Sequence, residues 1–322
     1  MKFTIGFDLD DKKRVHAYWD EIFSSQQWTE GRFTSLFEEK WSAWNGLPSL
    51  SFSSWSGAAL AAMDFFGLAG KIVLCPSNTF MATPLAVLKA GARVEFVDCN
   101  REDLCLSLED LKRKVELHRP AAVWVVHIGG HIAFEIEEIS RFCRERGVIL
   151  LEDCAHAHGA SWNGRKPGTW GDAGVYSFYA TKTITTGEGG MLVTANPGLV
   201  EFAKRSRNYG KPDYAVPGLN FRINEFAAAV GVAQVDRLGD IVAWKKAHAE
   251  KTLDAKYPNR VRFPEGMASG YYKYIVFDPI EKSTGKVYDQ PCHKIIGRDD
   301  DLPNTEWVAK NHWCVPLYYK GE

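Results

Sequence analysis

The sequence has no excess of charge of either sign. Its 322 residues include 39 lysines and arginines against 40 aspartates and glutamates, for a net charge of −1. It therefore offers no electrostatic attraction to nucleic acid or to an anionic membrane. No uninterrupted apolar run approaches the ~20 residues of a membrane span, and residues 1–5 lack the pattern of a signal peptide. We expect a cytoplasmic protein without nucleic-acid or membrane partners.

Paired cysteines are also absent. The seven cysteines are scattered singly, and no C-x-x-C occurs. Their odd number favours free, buried thiols in a reducing compartment over disulfides or a zinc cluster. The hydrophobic content of 45% and the charged content of 25% are ordinary for a globular protein.

Strand-like and helix-like segments alternate from residue 71 onward. Short apolar runs at 72–75, 93–97, 121–127 and 148–151 are separated by segments with helical periodicity. This rhythm predicts an α/β fold with a mostly parallel central sheet and helices on both faces.

The length allows a large domain and a smaller one. Residues 1–250 are expected to form the large domain, including helical segments between residues 8 and 45. Residues 251–322, in which turns and β-type runs become frequent, are expected to form a small α+β domain.

Several polar residues stand at the ends of predicted strands. Asp98, His127, Asp153 and the segment 177–182 all fall at such ends. Ligands of open parallel sheets bind outside the carboxyl ends of the strands, so we expect the functional site at this edge.

Lys182 lies between two β-type runs and shortly before a glycine turn at 187–190. Lysine is the residue that forms Schiff bases with carbonyl compounds. An exposed loop lysine is the alternative interpretation, because most lysines lie at the surface.

A second feature is the start of the alanine-rich helix near residue 56. Ser56 is a plausible N-cap, and the Gly57 and Ala58 amides that follow could bind a phosphate through the helix dipole. A helix that is simply capped is the alternative.

These residues together meet the requirements of pyridoxal phosphate. The cofactor needs a lysine, an acid facing the ring nitrogen, an anion site for the phosphate, and a flat surface against the ring. The candidates, in that order, are Lys182, Asp153, the Ser177 hydroxyl with the Gly57 and Ala58 amides, and Phe80.

With these segments the sequence resembles the DegT/DnrJ/StrS family of sugar aminotransferases, which have the fold-type I fold of pyridoxal-phosphate-dependent transferases. The resemblance extends from about residue 29 to about residue 240. The matching segments are Ser56–Leu60, Pro76-x-x-Thr79-Phe80, Val126-His127, Glu152–Ala160, Gly168-Thr169-x-Gly171-Asp172, Ser177-Phe178-x-x-x-Lys182, Gly187–Gly190 and Asn220–Arg222.

The resemblance implies a function and residue roles. Lys182 is expected to carry the cofactor and to move protons, Asp153 to face the ring nitrogen, and His156 to stand near the ring. The asparagine matching Asn220 reaches the phosphate in the neighbouring subunit, which implies a homodimer with shared active sites. The implied reaction is ping-pong transfer of an amino group from glutamate or glutamine to a nucleotide-linked keto sugar.

Three features depart from the family pattern. Ala58 stands where relatives commonly have a hydroxyl residue, and His156 stands where many have a glutamine. The sequence also stops soon after Tyr319, where relatives usually continue into a further helix, so we expect a shortened small domain with a different substrate pocket.

Other function classes remain open at this point. Dehydratases of the family carry histidine at the position of Lys182, and a non-catalytic sensor or scaffold could retain the same fold. A metal hydrolase would need a metal site, for which no H-E-x-x-H motif or cysteine pair is present; we therefore expect no metal. Its potential ligands would be His127, His131, Asp153, His156 and His158.

Overall fold

The computed structural model describes residues 6–320. The expectation about a signal peptide concerns residues 1–5, which lie outside the described residues. The helices are α1 (Leu9–Ser25), α2 (Arg32–Asn45), α3 (Trp55–Phe65), α4 (Ala82–Lys89), α5 (Leu108–His118), α6 (Ile136–Arg146), α7 (Pro197–Ser206), α8 (Glu225–His248), α9 (Cys292–Ile295) and α10 (Pro303–Lys310). A π-helical turn, Ala249–Leu253, continues α8.

The strands form one large sheet and two small ones. They are β1 (Ser49–Phe52), β2 (Ile72–Pro76), β3 (Arg93–Val97), β4 (Ala122–Val126), β5 (Ile149–Asp153), β6 (Ser161–Trp162), β7 (Ala173–Ser177), β8 (Gly190–Val193), β9 (Met267–Ala268), β10 (Tyr274–Val276) and β11 (Trp313–Val315).

The large sheet has seven strands in the order β1-β8-β7-β5-β4-β2-β3. The pairs from β3 to β7 are parallel, whereas β8 runs antiparallel to both β7 and β1. The expected mostly parallel sheet is confirmed. Its register sets Asp153 opposite Val126 on one side and Val175 on the other, so β4 and β5 end level and β7 extends two residues further, to Ser177.

Helices cover both faces of this sheet, because its strands are apolar on both sides. One core contains Leu111 of α5 and Ile139 of α6. The other contains Ala59 of α3, Val87 of α4 and Ala203 of α7. Fully buried strands of this kind require helices on the two faces, as the alternating pattern predicts.

The N-terminal helices α1 and α2 pack against α8. The N-cap of helix α2 is Gly31, which has no side chain to accept from the first amides. Its first amides are capped instead by Glu225, the first residue of α8: Oε1 accepts from the Gly31 and Thr34 amides at 3.0 and 2.9 Å, and Oε2 accepts from Phe33 at 2.7 Å. A negative charge at a helix N-terminus is favourable, so one buried carboxylate joins two helices far apart in sequence.

The chain after α8 packs onto the body formed by the large sheet. Strand β10 pairs with β11, and β9 pairs with β6. The carboxylate of Asp98, just after β3, accepts from the amides of Asn304 and Thr305 at 3.0 and 2.7 Å and so caps α10. The division into domains 1–250 and 251–322 stays a prediction. Within residues 6–320, no helix combines the length and apolarity needed to cross a bilayer.

Candidate active site

A cavity of about 590 Å³ opens at the carboxyl ends of the parallel strands. Val126, Asp153 and Ser177, the last residues of β4, β5 and β7, form its floor. This is the edge at which the alternating pattern predicts a site, because all the parallel strands point their carboxyl ends there.

The Asp153 carboxylate is buried at this floor. Its Oδ2 accepts from the Thr83 hydroxyl at 2.8 Å and its Oδ1 from the Ala155 amide at 3.0 Å. Burial raises the pKa of Asp153, whereas these two hydrogen bonds and the charge of Lys182 oppose the increase. The carboxylate is therefore held in one orientation while its charge is incompletely compensated.

Lys182 lies in the same cavity, half-buried, on the segment that follows β7. Burial lowers its pKa to about 8, Asp153 opposes this decrease, and Lys273 adds to it. A lysine with a lowered pKa has a larger neutral fraction near pH 7, and the neutral amine is the form that attacks carbonyl groups.

Ser177 and Phe80 also line the cavity, as expected from the sequence. Ser177 is buried, and its Oγ accepts from the Tyr179 amide at 3.3 Å. Phe80 is 66% exposed, so its ring offers an uncovered apolar face at the cavity mouth. A planar ligand ring packed against it would cover this face.

The start of α3 differs from the expectation. The N-cap is Ser54, so the assignment to Ser56 is wrong; the Ser54 side chain accepts from the Gly57 amide at 3.2 Å. A Cβ on Gly57 would lie 2.9 Å from the Phe221 ring, so this glycine allows close packing of a neighbouring loop.

The cavity wall at this helix is formed by Ser54, Trp55 and Ser56. Helix geometry leaves the amides of the first turn without an intrahelical acceptor, and Trp55 and Ser56 belong to that turn. They are the better placed candidates for a phosphate, whereas the role of the Gly57 and Ala58 amides stays a prediction.

His156 lines the cavity between two tyrosine rings. Its ring centroid lies 4.3 Å from that of Tyr272 and 5.8 Å from that of Tyr288. The Tyr288 hydroxyl lies 3.4 Å from Nε2, whereas Nδ1 is buried without a hydrogen-bond partner in the described chain. Burial lowers the pKa of His156 well below its usual value, so the neutral ring has one nitrogen available to a ligand.

Asn220 does not line this cavity. It is exposed on the segment between α7 and α8, and its Oδ1 accepts from the Arg222 amide at 3.3 Å. A role in the active site of the same chain is therefore not supported by its position, whereas a role in a neighbouring subunit is untested.

Two other strand-end residues have structural roles. Asp98 caps α10, as described above. His127 is fully buried, accepts from the Ala133 amide through Nδ1 at 3.1 Å, and lies 2.9 Å through Nε2 from Glu152. Glu152 in turn accepts from the Gly168 and Trp170 amides, each at 2.7 Å, so this pair organises the loop before β7.

The hypothetical hydrolase ligands are not brought together. In the described residues, the groups with converging ligand atoms are Asp103–Cys105–His131 and His127–Glu152–Cys154. His131 Nε2 already lies 2.9 Å from the Asp103 carbonyl. His158 is enclosed by the rings of Trp41, Tyr176 and Phe178. Neither group lies in the cavity of Lys182.

Sequence analysis did not identify several residues of the site. Thr83 of α4 is fully buried and donates to Asp153, although it does not line the cavity itself. Tyr272, Lys273 and Tyr288 come from the chain after α8. They belong to no motif, and no sequence signal connects them to Asp153.

The residues present fit pyridoxal phosphate. The cavity combines a lysine of lowered pKa with a carboxylate in a fixed orientation, and it has an uncovered aromatic face at Phe80. The unpartnered Nδ1 of His156 can serve a polar substituent of the ring. Amides at the start of α3 and the Ser177 hydroxyl can hold a phosphate.

Known proteins similar to this chain include several aminotransferases that act on sugars. The sequence model of the DegT/DnrJ/EryC1/StrS aminotransferase family matches residues 9–259. The chain is similar to GDP-perosamine synthase of Vibrio cholerae, with 34% identity over 249 residues that cover 75% of this chain and 67% of that protein.

Two further likenesses extend over most of the chain. The dTDP-3-amino-3,4,6-trideoxy-alpha-D-glucose transaminase of Micromonospora megalomicea is 29% identical, covering 92% of this chain and 88% of its own length. The crystal structure of the aminotransferase TlmJ from Streptoalloteichus hindustanus superposes with a TM-score of 0.88 at 29% identity, covering 96% of this chain and 92% of that one.

Proposed function

The chain belongs to the DegT/DnrJ/EryC1/StrS aminotransferase family, and from this membership and its cavity we propose that it is a pyridoxal-phosphate-dependent aminotransferase. It transfers the amino group of glutamate or glutamine to a nucleotide-linked keto sugar. The observation that carries the proposal is the presence of Lys182 and Asp153 in one cavity at the carboxyl ends of the sheet. The fold-type I architecture expected from the sequence agrees with the family and with the seven-stranded sheet.

Bound pyridoxal phosphate supplies an aldehyde that bonds to an amine and a ring that withdraws electrons from the substrate carbon. Lys182 would provide the amine and, once released, would move a proton between the reacting carbon of the substrate and the carbon of the cofactor's aldehyde group. Asp153 holds a proton on the ring nitrogen, for which its fixed, ionisable carboxylate is suited. The two substrates use the cavity in turn, because each must bring its reacting carbon within reach of Lys182 Nζ.

The presence of Lys182 favours amino transfer over sugar dehydration, since family dehydratases have histidine at that position. A scaffold without activity has no need of a lysine whose pKa is lowered to about 8 beside a buried carboxylate. These residues therefore support an enzyme rather than a sensor.

We also propose a homodimer that shares its active sites. Asn220 is exposed and lies outside its own cavity, which suits a contact with a neighbouring subunit. Three large apolar residues on the same segment are exposed as well: Tyr209 by 46%, Tyr214 by 67% and Leu219 by 59%. Clustered exposed apolar residues mark interaction surfaces.

The proposed compartment is the cytoplasm. All seven cysteines are free and buried, a state typical of proteins in a reducing environment.

Covalent mapping tests the function. Borohydride reduction of the purified yellow protein, followed by peptide mass analysis, should find a pyridoxyl group on Lys182. The Lys182→Ala protein should lose all transfer from glutamate or glutamine to nucleotide keto sugars. Lys182→Arg, which keeps the charge but not the reactive amine, should be equally inactive, whereas Lys204→Ala on the exposed side of α7 should retain activity.

A pyridoxyl group on a different lysine, or on none, would contradict the proposal. So would normal transfer rates in the Lys182→Ala protein. If glutamate bleaches the yellow band but no nucleotide keto sugar accepts the amino group, the assignment of the acceptor is wrong, whereas the assignment of the cofactor chemistry stands.

A further inference from the structure

A small cavity of about 70 Å³ adjoins the main cavity at Lys182. Both cavities are lined by Thr181, Lys182, Tyr272 and Lys273. The wall that belongs to the small cavity alone includes Thr183 and Lys245. The size suits a small polar group of a ligand whose remainder occupies the main cavity.

Positive charge is concentrated around this small cavity. The ammonium groups of Lys182 and Lys273 each lie 5.2 Å from the centroid of the Tyr272 ring. Lys245 is only 6% exposed, and its Nζ donates to the Tyr271 carbonyl at 3.2 Å. Across residues 6–320, neither Lys245 nor Lys273 forms an ion pair with a carboxylate.

A buried ammonium without a counter-ion is unfavourable. Removing such a charge from water is costly unless an opposite charge compensates it. Burial, with a contribution from Lys273, lowers the pKa of Lys245 to about 8. The two lysines thus repel each other, and an anion between them would relieve this repulsion.

A hydroxyl group also lacks a partner here. Thr183 is 9% exposed, and its Oγ1 has no hydrogen-bond partner in the described part of the chain. Buried hydroxyl groups are usually hydrogen-bonded. Thr183 Oγ1 can donate to the same anion that compensates the lysines.

We propose that Lys273, Lys245 and Thr183 form a subsite for the carboxylate of the amino-acid donor. This inference rests on the proposed function and adds the residues that recognise one of its two substrates. The α-carboxylate is bonded to the carbon from which Lys182 takes a proton, so its binding groups must adjoin Lys182. Lys273, which shares both cavities with Lys182, meets this condition.

The diphosphate of a nucleotide sugar is the other anion available to these lysines. It is separated from the reacting carbon by atoms of the sugar ring, so it lies farther from Lys182 than a carboxylate bonded to that carbon. The keto sugar also has no negative group next to its carbonyl. We therefore expect the subsite to bind the amino-acid donor and to have little effect on the binding of the keto sugar.

The experiment compares two probes on the cofactor-loaded protein. Isothermal titration measures the Kd of glutarate, a dicarboxylate without an amine, and the Kd of a nucleoside diphosphate. Lys273→Gln and Lys245→Met should each weaken glutarate binding by roughly 10- to 100-fold, the usual range for a lost charge-assisted hydrogen bond. The Kd of the nucleoside diphosphate should stay within about twofold.

Steady-state kinetics give an independent readout. The KM for glutamate should increase in both variants, whereas the KM for the keto sugar should be nearly unchanged. Lys246→Gln is the matched control, because Lys246 is an exposed lysine one residue along α8 that pairs with Glu250 at 3.7 Å. It should behave as the unmodified protein in all measurements.

Unchanged glutarate binding in both variants would overturn the proposal. Loss of nucleoside diphosphate binding with glutarate binding retained would also overturn it and would assign the lysines to the phosphates. Failure of the proposed function has a different signature: glutarate binds and responds to the substitutions, yet no nucleotide keto sugar accepts an amino group.

Discussion

Asp153 and Lys182 are coupled through their charges. Burial raises the pKa of Asp153 and lowers that of Lys182, and each charge opposes the shift of the other. The result is a lysine that can lose its proton near neutral pH, beside a buried carboxylate whose pKa is raised. Lys273 acts on Lys182 in the same direction as burial, so the reactivity of the amine depends on a residue from the distant end of the chain.

The rate of cofactor loading should report this coupling. Only the neutral amine bonds to an aldehyde, so loading of the cofactor-free protein should accelerate as the pH rises through about 8, the pKa of Lys182. A free lysine side chain used as a control should show its midpoint near ~10.4. Stopped-flow absorbance of the yellow product measures the rate.

Two variants test the direction in which each neighbouring charge shifts the pKa of Lys182. Asp153→Asn removes the charge that raises the pKa of Lys182, so the midpoint should move to lower pH. Lys273→Gln removes a charge that lowers it, so the midpoint should move to higher pH. A midpoint near ~10.4 in the unmodified protein would refute the lowered pKa.

Helix α2 shows how one element depends on another. Its N-cap, Gly31, provides no side-chain acceptor, and the carboxylate of Glu225 takes that role from the start of α8. Helix α8 has its own N-cap, the Asn224 side chain, which accepts from the Ala227 amide at 2.9 Å. The two helix starts are therefore stabilised together, next to the segment that carries Asn220.

The substitution Glu225→Gln should destabilise the protein by roughly 2–4 kcal/mol, because it removes a buried charge that accepts several amide hydrogen bonds. Urea unfolding followed by circular dichroism measures the change. Glu39→Gln, on the exposed side of α2, should change the free energy of unfolding by less than about 0.5 kcal/mol. Equal effects of the two substitutions would show that the carboxylate does not cap α2.

The surface of the whole molecule includes a segment whose exposed side chains have no role within the single chain. Asn220 and the apolar side chains of Tyr209, Tyr214 and Leu219 face solvent on one segment between α7 and α8. A twofold-symmetric dimer would bury this segment and could complete each cavity from the neighbouring chain. The proposed homodimer explains both the exposure and the position of Asn220.

If Asn220 completes the neighbouring cavity, Asn220→Ala should impair activity, so mixing it with Lys182→Ala tests the shared site. Lys182→Ala and Asn220→Ala, mixed under conditions of subunit exchange, should regain activity, because one site of each mixed dimer has both native residues. A mixture of Lys182→Ala with Lys182→Arg should stay inactive, since every site lacks the lysine. A monomer by light scattering, or no recovery in the first mixture, would contradict the homodimer with shared sites.

Local sequence patterns predict many of the strands and part of the site. The bounds of β2, β3 and β4 agree with the predicted segments to within a residue, because hydrophobic periodicity acts over a few neighbouring residues. The placement of Asp153, Ser177 and Lys182 in one cavity also follows from local information, since parallel strands that alternate with helices end at the same edge.

Local sequence patterns do not predict the contacts between segments that are distant in the chain. Nothing near Gly31 indicates that Glu225 caps α2, and nothing near Gly57 indicates that Phe221 packs against it. Tyr272, Lys273 and Tyr288 enter the cavity because the chain after α8 folds back over the sheet edge, a path set by packing rather than by a motif. Residue order therefore specifies the sheet and its reactive edge, whereas the walls of the cavity depend on long-range packing, because side chains far apart in the sequence meet only after the chain has folded.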